Sequence, residues 1–191
     1  MQIYPRVALA VSILLVGVEA EQYKPKDVPV EYSASVQAVG PMGAAATNVK
    51  IHIDRFTADR DRTTLMNALR TDGYQAFLPA LRQAPVVGSI AVKDQKWDLR
   101  WAHQEMRDLG QIVTVATDSP VFFSGGGRVD AKPRAGYEVA VIRIEVDTIG
   151  MGKGTFAPAA HVKPNADATG VQIDDYGGQP LPITMVTRVL R

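Results

Sequence analysis

The sequence predicts a mainly β (α+β) fold, an antiparallel β-barrel or sandwich of about eight to nine strands with a two-helix insertion near residues 58–83. Three observations carry that prediction. Apolar and polar residues alternate with period 2 along most of the chain, clusters of turn-forming residues separate the alternating runs, and the pattern switches to helical spacing in one region only. Recurrent βαβ alternation and repeats of fixed period are both missing from the 191 residues.

The first twenty residues read as an export signal. Arg6 supplies a short positive region, Val7 to Val18 is an apolar run broken by Ser12 and Gly17, and Val18-Glu19-Ala20 suits signal peptidase, with cleavage expected after Ala20. As a membrane anchor the run is too short, because about 20 apolar residues are needed to cross a bilayer as a helix. The chain contains no cysteine, so neither a lipid-attachment site nor a disulfide framework follows the signal. These features imply a periplasmic or secreted protein that is not integral to the membrane. Residues 21–27 are polar and charged and predict a flexible arm, leaving residues 28–191 as a single β-rich domain. The net charge of +1 comes with no long basic stretch, which argues against nucleic acid as a partner.

Val28 to Val39 predicts a first strand, with Pro29 near its start, and Gly40-Pro41-Met42-Gly43 breaks it. Residues Ala44 to Thr47 read as connection. Val49, Ile51 and Ile53 then alternate with Lys50, His52 and Asp54, a clear second strand. Thr57 is placed to cap a helix whose first turn holds Asp59 and Asp61 and whose apolar stripe is Leu65, Met66 and Leu69, ending at Gly73. A second stripe of Tyr74, Phe77, Leu78 and Leu81 predicts another helix, which Pro79 should kink or divide. The pair is expected to form a lid or plug on the sheet.

From Val87 onward the strand pattern persists: Val87 to Val92, Lys96 to His103, Gln111 to Thr117, Tyr137 to Asp147, Thr155 to Val162, Val171 to Ile173 and Ile183 to Leu190. The clearest unit is the hairpin from Tyr137 to Lys163. Ala140, Ile142, Ile144 and Val146 share one face, and Gly150, Gly152 and Gly154 are expected to supply the backbone freedom of the reversal. The loop Ser119 to Gly136, with Gly125, Gly126 and Gly127, is long enough to be mobile or functional.

Four short segments together resemble an uncharacterised family of exported, signal-peptide-bearing bacterial proteins: Trp97-Asp98-Leu99-Arg100-Trp101-Ala102, Ala116-Thr117-Asp118-Ser119-Pro120-Val121, Gly152-Lys153-Gly154 and Asp175-Tyr176-Gly177. The resemblance spans most of the mature chain and implies export, and it carries over no activity, cofactor or catalytic residue. Pro79 departs from the helix-compatible residue expected at its place in that family.

Several constellations invite chemistry and resolve to plainer readings. His52, His103 and His161 lack the spacing of a metal site, so no metal is expected. Asn165 to Gly170 begins like a calcium loop, but its twelfth position is Tyr176 where a glutamate belongs, which favours a polar turn. Gly150-Met151-Gly152-Lys153-Gly154-Thr155 leads into a strand, whereas a phosphate-binding loop leads into a helix. A nucleophile elbow of the Gly-x-Ser-x-Gly type is missing, and Gly88-Ser89-Ile90 does not supply one. The carboxylate pairs Asp98 with Glu105 and Glu145 with Asp147 could serve as acid and base only if burial separated their pKa values. Trp97, Leu99 and Trp101 fall on one side of a strand by simple alternation and are the candidate ligand-pocket residues, with core packing as the competing role. The expected function is therefore a non-catalytic binding or structural role in the cell envelope or outside it, toward a small molecule or envelope component and with no cofactor. The alternatives are a β-barrel carrier of a small apolar ligand and a hydrolase using paired carboxylates.

Overall fold

The computed structural model describes residues 28–40, 43–123 and 134–189. The expected signal at 1–20, the arm at 21–27 and the glycines at 125–127 lie outside these residues. Nine strands and two helices form, in the order β1 (Val30–Gly40), β2 (Gly43–Ile53), α1 (Asp59–Thr71), α2 (Tyr74–Gln83), β3 (Gly88–Val92), β4 (Gln95–Arg107), β5 (Gly110–Thr117), β6 (Val139–Asp147), β7 (Met151–Pro164), β8 (Val171–Tyr176) and β9 (Leu181–Val189).

All strand pairs are antiparallel, and the sheet runs β6-β5-β4-β3-β2-β1-β9-β7-β8 with a further pairing of β6 to β7. That last pairing closes an eight-stranded barrel and leaves β8 as an added strand. The closure works because β7 is long. One of its edges follows β6 from Gly152 to Ala160, while the other is shared between β9 at Met151 to Phe156 and β8 at Ala160 to Pro164. Closure removes the terminal edges that the eight barrel strands would have in an open sheet, while β8, paired to β7, keeps one open edge.

The barrel interior is filled by side chains. Val30, Tyr32, Ala34 and Val36 of β1, Val49, Ile51 and Ile53 of β2, and Ala140, Ile142, Ile144 and Val146 of β6 meet there. Val121 and Phe123 from the segment after β5 join them, and Phe123 stacks on Phe156 of β7 with centroids 5.9 Å apart and planes 10° off parallel. This segment, and not the helices, plugs the barrel. Helices α1 and α2 lie against the outside of the wall, where Leu65, Met66, Leu69, Tyr74, Phe77, Leu78 and Leu81 pack with Trp101, Ala116, Val139, Val141, Ala157, Ala160 and Val162. The molecule thus has two apolar layers with the β4–β7 wall between them.

Four local expectations need correction. Ala44 to Thr47 is strand, since β2 begins at Gly43 and its register with β1 runs from Gly40 opposite Gly43 to Val30 opposite Ile53. Thr57 does not cap α1: its N–H donates to the Ala102 carbonyl (2.8 Å), and its Oγ1 accepts from the Ala102 N–H (2.9 Å), so it stitches the start of the helix to β4. The helix itself starts after Ala58. Pro79 does not divide α2, which runs unbroken from Tyr74 to Gln83. A proline there removes one N–H toward the Gln75 carbonyl, and Gln75 and Pro79 are both exposed, so water can take that carbonyl. Finally, Gly152 and Gly154 do not make the reversal. They lie within β7, where a Cβ would come within 1.9 Å of the Glu145 carbonyl oxygen and 2.3 Å of that of Arg143, so what they permit is close approach of β6 and β7.

Candidate functional site

One end of the barrel gathers the start of β1, the end of β9 and the two turns β4–β5 and β6–β7. The registers place these together: Glu31 lies opposite Val189, Met151 opposite Thr187, and Gly110 opposite both Arg107 and Asp147. The β6–β7 turn is held by its own hydrogen bonds. Asp147 Oδ1 accepts from the N–H groups of Ile149 (3.1 Å) and Met151 (2.8 Å), the Gly150 N–H donates to the Asp147 carbonyl (3.1 Å), and the Arg188 N–H donates to the Gly150 carbonyl (2.7 Å). Gly150 has φ +88°, and a Cβ there would meet Arg188 Cβ at 2.7 Å, so both conformation and space require glycine.

These turns hold two large apolar side chains outward. Leu109 is 84% exposed and Ile149 78% exposed, and Met106, Met151 and Val189 around them are also partly open to solvent. A cavity of about 200 Å³ opens between the two turns, lined by Met106, Arg107, Gln111, Asp147, Gly150 and Arg188 among others. Gln111, which lines it, is fixed from behind: its Nε2 donates to the Tyr32 hydroxyl (2.8 Å) and its Oε1 accepts from Gln104 Nε2. The volume falls below the roughly 300–1,000 Å³ of sites that enclose a drug-sized ligand. What distinguishes this end is its apolar rim.

A second group of functional side chains lies on the outer wall, where α2 meets β7 and β8. His161 stacks on Tyr74 (centroids 4.8 Å apart) and tilts against Tyr137 (6.0 Å). The Tyr137 hydroxyl donates to Asp175 Oδ2 (2.5 Å), the Arg134 guanidinium lies 4.8 Å over the Tyr137 ring, and Asp174 accepts from Lys163 Nζ (2.7 Å) with His161 Nδ1 at 3.5 Å. The Glu138 N–H donates to the Tyr74 hydroxyl (2.9 Å). Burial pushes the Tyr74 hydroxyl well above its ordinary range, the hydrogen bond to Asp175 raises Tyr137, and that same hydroxyl lowers Asp175 while the Lys163 bond lowers Asp174. These groups satisfy one another across α2, β7, β8 and the segment that leads into β6, which is the arrangement of a latch.

The residues singled out by sequence are distributed as follows. Trp97 packs against the interior cluster and Leu99 is fully inside it, whereas Trp101 belongs to the outer layer under the helices. They do not form one wall. A β-bulge between Leu99 and Trp101, where Leu99 faces Thr117 and Trp101 faces Ala116, breaks the alternation at Arg100. The histidines are also apart: His52 Nε2 sits 3.0 Å from Asp54 Oδ1, His103 Nδ1 3.4 Å from Arg62 Nη1, and His161 lies in the latch. Among the described residues no group of three or more His, Asp or Glu is placed to hold a metal ion. In the Asn165–Gly170 turn Asn165 Oδ1 accepts from the Gly170 N–H (2.9 Å), and Asp167 Oδ1 accepts from the Thr169 hydroxyl (2.8 Å), so these oxygens brace the turn. Asp98 and Glu105 lie seven residues apart on β4, about 23 Å along a strand, well beyond the roughly 5–9.5 Å of a carboxylate pair working as acid and base. Glu145 pairs with Arg143 (2.8 Å) and Asp147 braces its turn.

The apolar rim was not singled out in the sequence, although a signal existed. In Asp108-Leu109-Gly110 and Thr148-Ile149-Gly150 a large apolar residue stands directly before a turn glycine, at a place polar residues ordinarily fill.

No family model, no curated protein and no solved structure matches this chain. The fold itself defines the class: a closed eight-stranded antiparallel barrel with one added strand and a two-helix flank. Among the described residues no helix is long and apolar enough to cross a membrane.

Proposed function

We propose that this is an exported, non-catalytic barrel module of the periplasm or cell exterior that works by binding, through the end that carries Leu109 and Ile149. The observation that carries the reading is the 84% and 78% exposure of those two side chains on adjacent turns of one barrel end. Large apolar residues exposed together mark interaction surfaces more often than singly scattered ones do. The pattern of Val7 to Ala20 and the likeness to exported bacterial proteins support export. Apolar residues such as Ile51 and Ile144 point inward while Lys50 and Glu145 point to solvent, the reverse of a barrel that spans a bilayer. The filled interior, with Phe123 against Phe156, weighs against a carrier, and the separation of Asp98 from Glu105 weighs against a paired-carboxylate hydrolase.

The test combines compartment and cavity. Protein expressed in a bacterial host should be recovered from the periplasm or medium with Glu21 as its first residue. An intact Met1 on cytoplasmic protein would end the export reading. Titrating the folded protein with an apolar fluorescent probe should leave tryptophan emission unchanged, and a saturable shift would replace the surface-binding reading with the carrier.

A further inference from the structure

The nature of the surface that this barrel end meets can be read from three features taken together, and the inference rests on the binding role assigned to that end above. First, the most exposed apolar groups, Leu109 and Ile149, stand at turn tips and not in a groove, with Met106 and Met151 behind them, 46% and 48% exposed. Protruding tips suit a partner that yields around them, as the interfacial region of a bilayer does, better than a preformed protein pocket. Second, this end carries no basic excess. Arg107 pairs with Glu105 (3.0 Å) and Arg143 with Glu145 (2.8 Å), and Glu31, Asp108 and Asp147 stand against Lys153 and Arg188. Such a surface has no net attraction to anionic headgroups, which a basic patch would have.

Third, the chain joins the barrel at this same end. Val28 precedes β1, whose Glu31 lies opposite Val189 beside the β6–β7 turn. The apolar run Val7 to Val18 is separated from Val28 by residues 19–27. Even fully extended, those residues reach only about 30 Å at 3.3–3.6 Å each. Until cleavage after Ala20 releases the chain, the barrel end bearing Leu109 and Ile149 is the part of the folded domain held nearest to the membrane that it is exported across. We propose that this end docks shallowly on the surface of a neutral lipid bilayer, with Leu109 and Ile149 as the inserting side chains.

The experiment is co-sedimentation of purified protein, its N-terminus verified by mass, with phosphatidylcholine vesicles and with vesicles containing phosphatidylglycerol. The wild type is compared with Leu109→Ser/Ile149→Ser and with Met185→Ser, a control in which an exposed apolar residue of β9 is removed. Because both tips are solvent-exposed, the double variant should keep its Tm within about 2 °C, and circular dichroism checks this. The proposal expects binding to phosphatidylcholine that drops about tenfold or more in the double variant and is unchanged in Met185→Ser. It also expects less than about a twofold change on adding anionic lipid or salt. No vesicle binding by the wild type would overturn it, as would binding that requires anionic lipid or that survives loss of both tips. A concentration-dependent dimer that the double variant abolishes, without vesicle binding, would also overturn the lipid reading while leaving this end as a binding surface. Retention of Met1 in cytoplasmic protein, by contrast, removes the exported reading on which the tether argument stands.

Discussion

Leu99 and Trp101, two residues apart on β4, face opposite sides of the barrel wall: Leu99 is inside with Ile51 and Val115, and Trp101 is outside with Phe77 and Leu81. The bulge that separates them is pinned by its own residue. Arg100 Nε donates to Asp118 Oδ2 (3.1 Å), and Arg100 Nη1 donates to the Ala84 carbonyl (2.9 Å) at the end of α2. A single side chain thus fixes the irregularity and ties the helical layer to the strand it covers.

Replacing Arg100 by alanine should therefore destabilise the protein by about 1–3 kcal/mol, since it leaves Asp118 and the helix-end carbonyl without their charged donor. Arg100→Lys should recover part of this, because one ammonium cannot reproduce the two-directional guanidinium contact. Urea denaturation of the three proteins measures both differences. An Arg100→Ala variant with wild-type stability would show that the bulge is held by packing alone.

The two tryptophans should separate cleanly on mutation. Trp101 is fully buried and packed under both helices, so Trp101→Ala should cost about 3–5 kcal/mol. Among the described residues its Nε1 has no hydrogen-bond partner, so Trp101→Phe loses no such bond and should cost far less than the alanine change. Trp97 is only partly buried, and Trp97→Ala should fall well below Trp101→Ala. In Trp97→Phe the remaining emission should be strongly blue-shifted and poorly quenched by acrylamide.

The bulge also explains what the sequence could and could not disclose. Alternation located every strand, because side-chain parity is a local property of each run, and the β6–β7 hairpin follows it residue for residue from Ala140 to Val146. The helix stripes were equally legible, Leu65, Met66 and Leu69 in α1 and Tyr74 to Leu81 in α2. Parity across a bulge is not local, and nothing in Trp97-Asp98-Leu99-Arg100-Trp101 marks Arg100 as the inserted residue, so simple alternation puts Trp101 on the wrong face. Barrel against sandwich is undecidable from the sequence for the same reason, since closure rests on β7 pairing with both β6 and β9. Gly152 and Gly154 read as turn residues because the approach of β6 that needs them lies elsewhere in the chain. The exposed rim lies in turns, where periodicity carries no information.

Truncating the plug should open the barrel. Phe123 is 2% exposed and stacks on Phe156, so Phe123→Ala should cost about 3–5 kcal/mol and leave an apolar void the size of a ring. Apolar voids of that kind stay dry and accept small hydrophobic ligands. The variant should consequently bind benzene or a similar probe that the wild type excludes, read as a ligand-dependent rise in Tm. If the wild type shows the same rise, the interior is not as full as Phe123 and Phe156 imply.

Stability should fall with acidification through a window set by His103. Its imidazole is held below its usual pKa of 6.5, first by burial and then by the Arg62 guanidinium, against smaller opposing contributions from Glu105, Asp167 and Asp59. A histidine depressed in the folded state binds its proton more readily when unfolded. Its stabilising contribution is therefore complete above pH 6.5 and is lost as the pH falls through the lowered folded value. The depressed carboxylates Asp167, Asp174 and Asp175 also destabilise on acidification, but they do so only as the pH drops below their ordinary value of 3.8. The two windows do not overlap between about pH 5 and 6.5, which isolates the imidazole. Denaturation midpoints of wild type and His103→Gln, measured from pH 8 to pH 5, should differ in slope, the variant staying flatter below pH 6.5. In Arg62→Gln the imidazole loses its cationic neighbour, its pKa should move back up, and the acid-induced loss should shrink accordingly. Parallel curves for wild type and His103→Gln would assign the pH dependence to other groups.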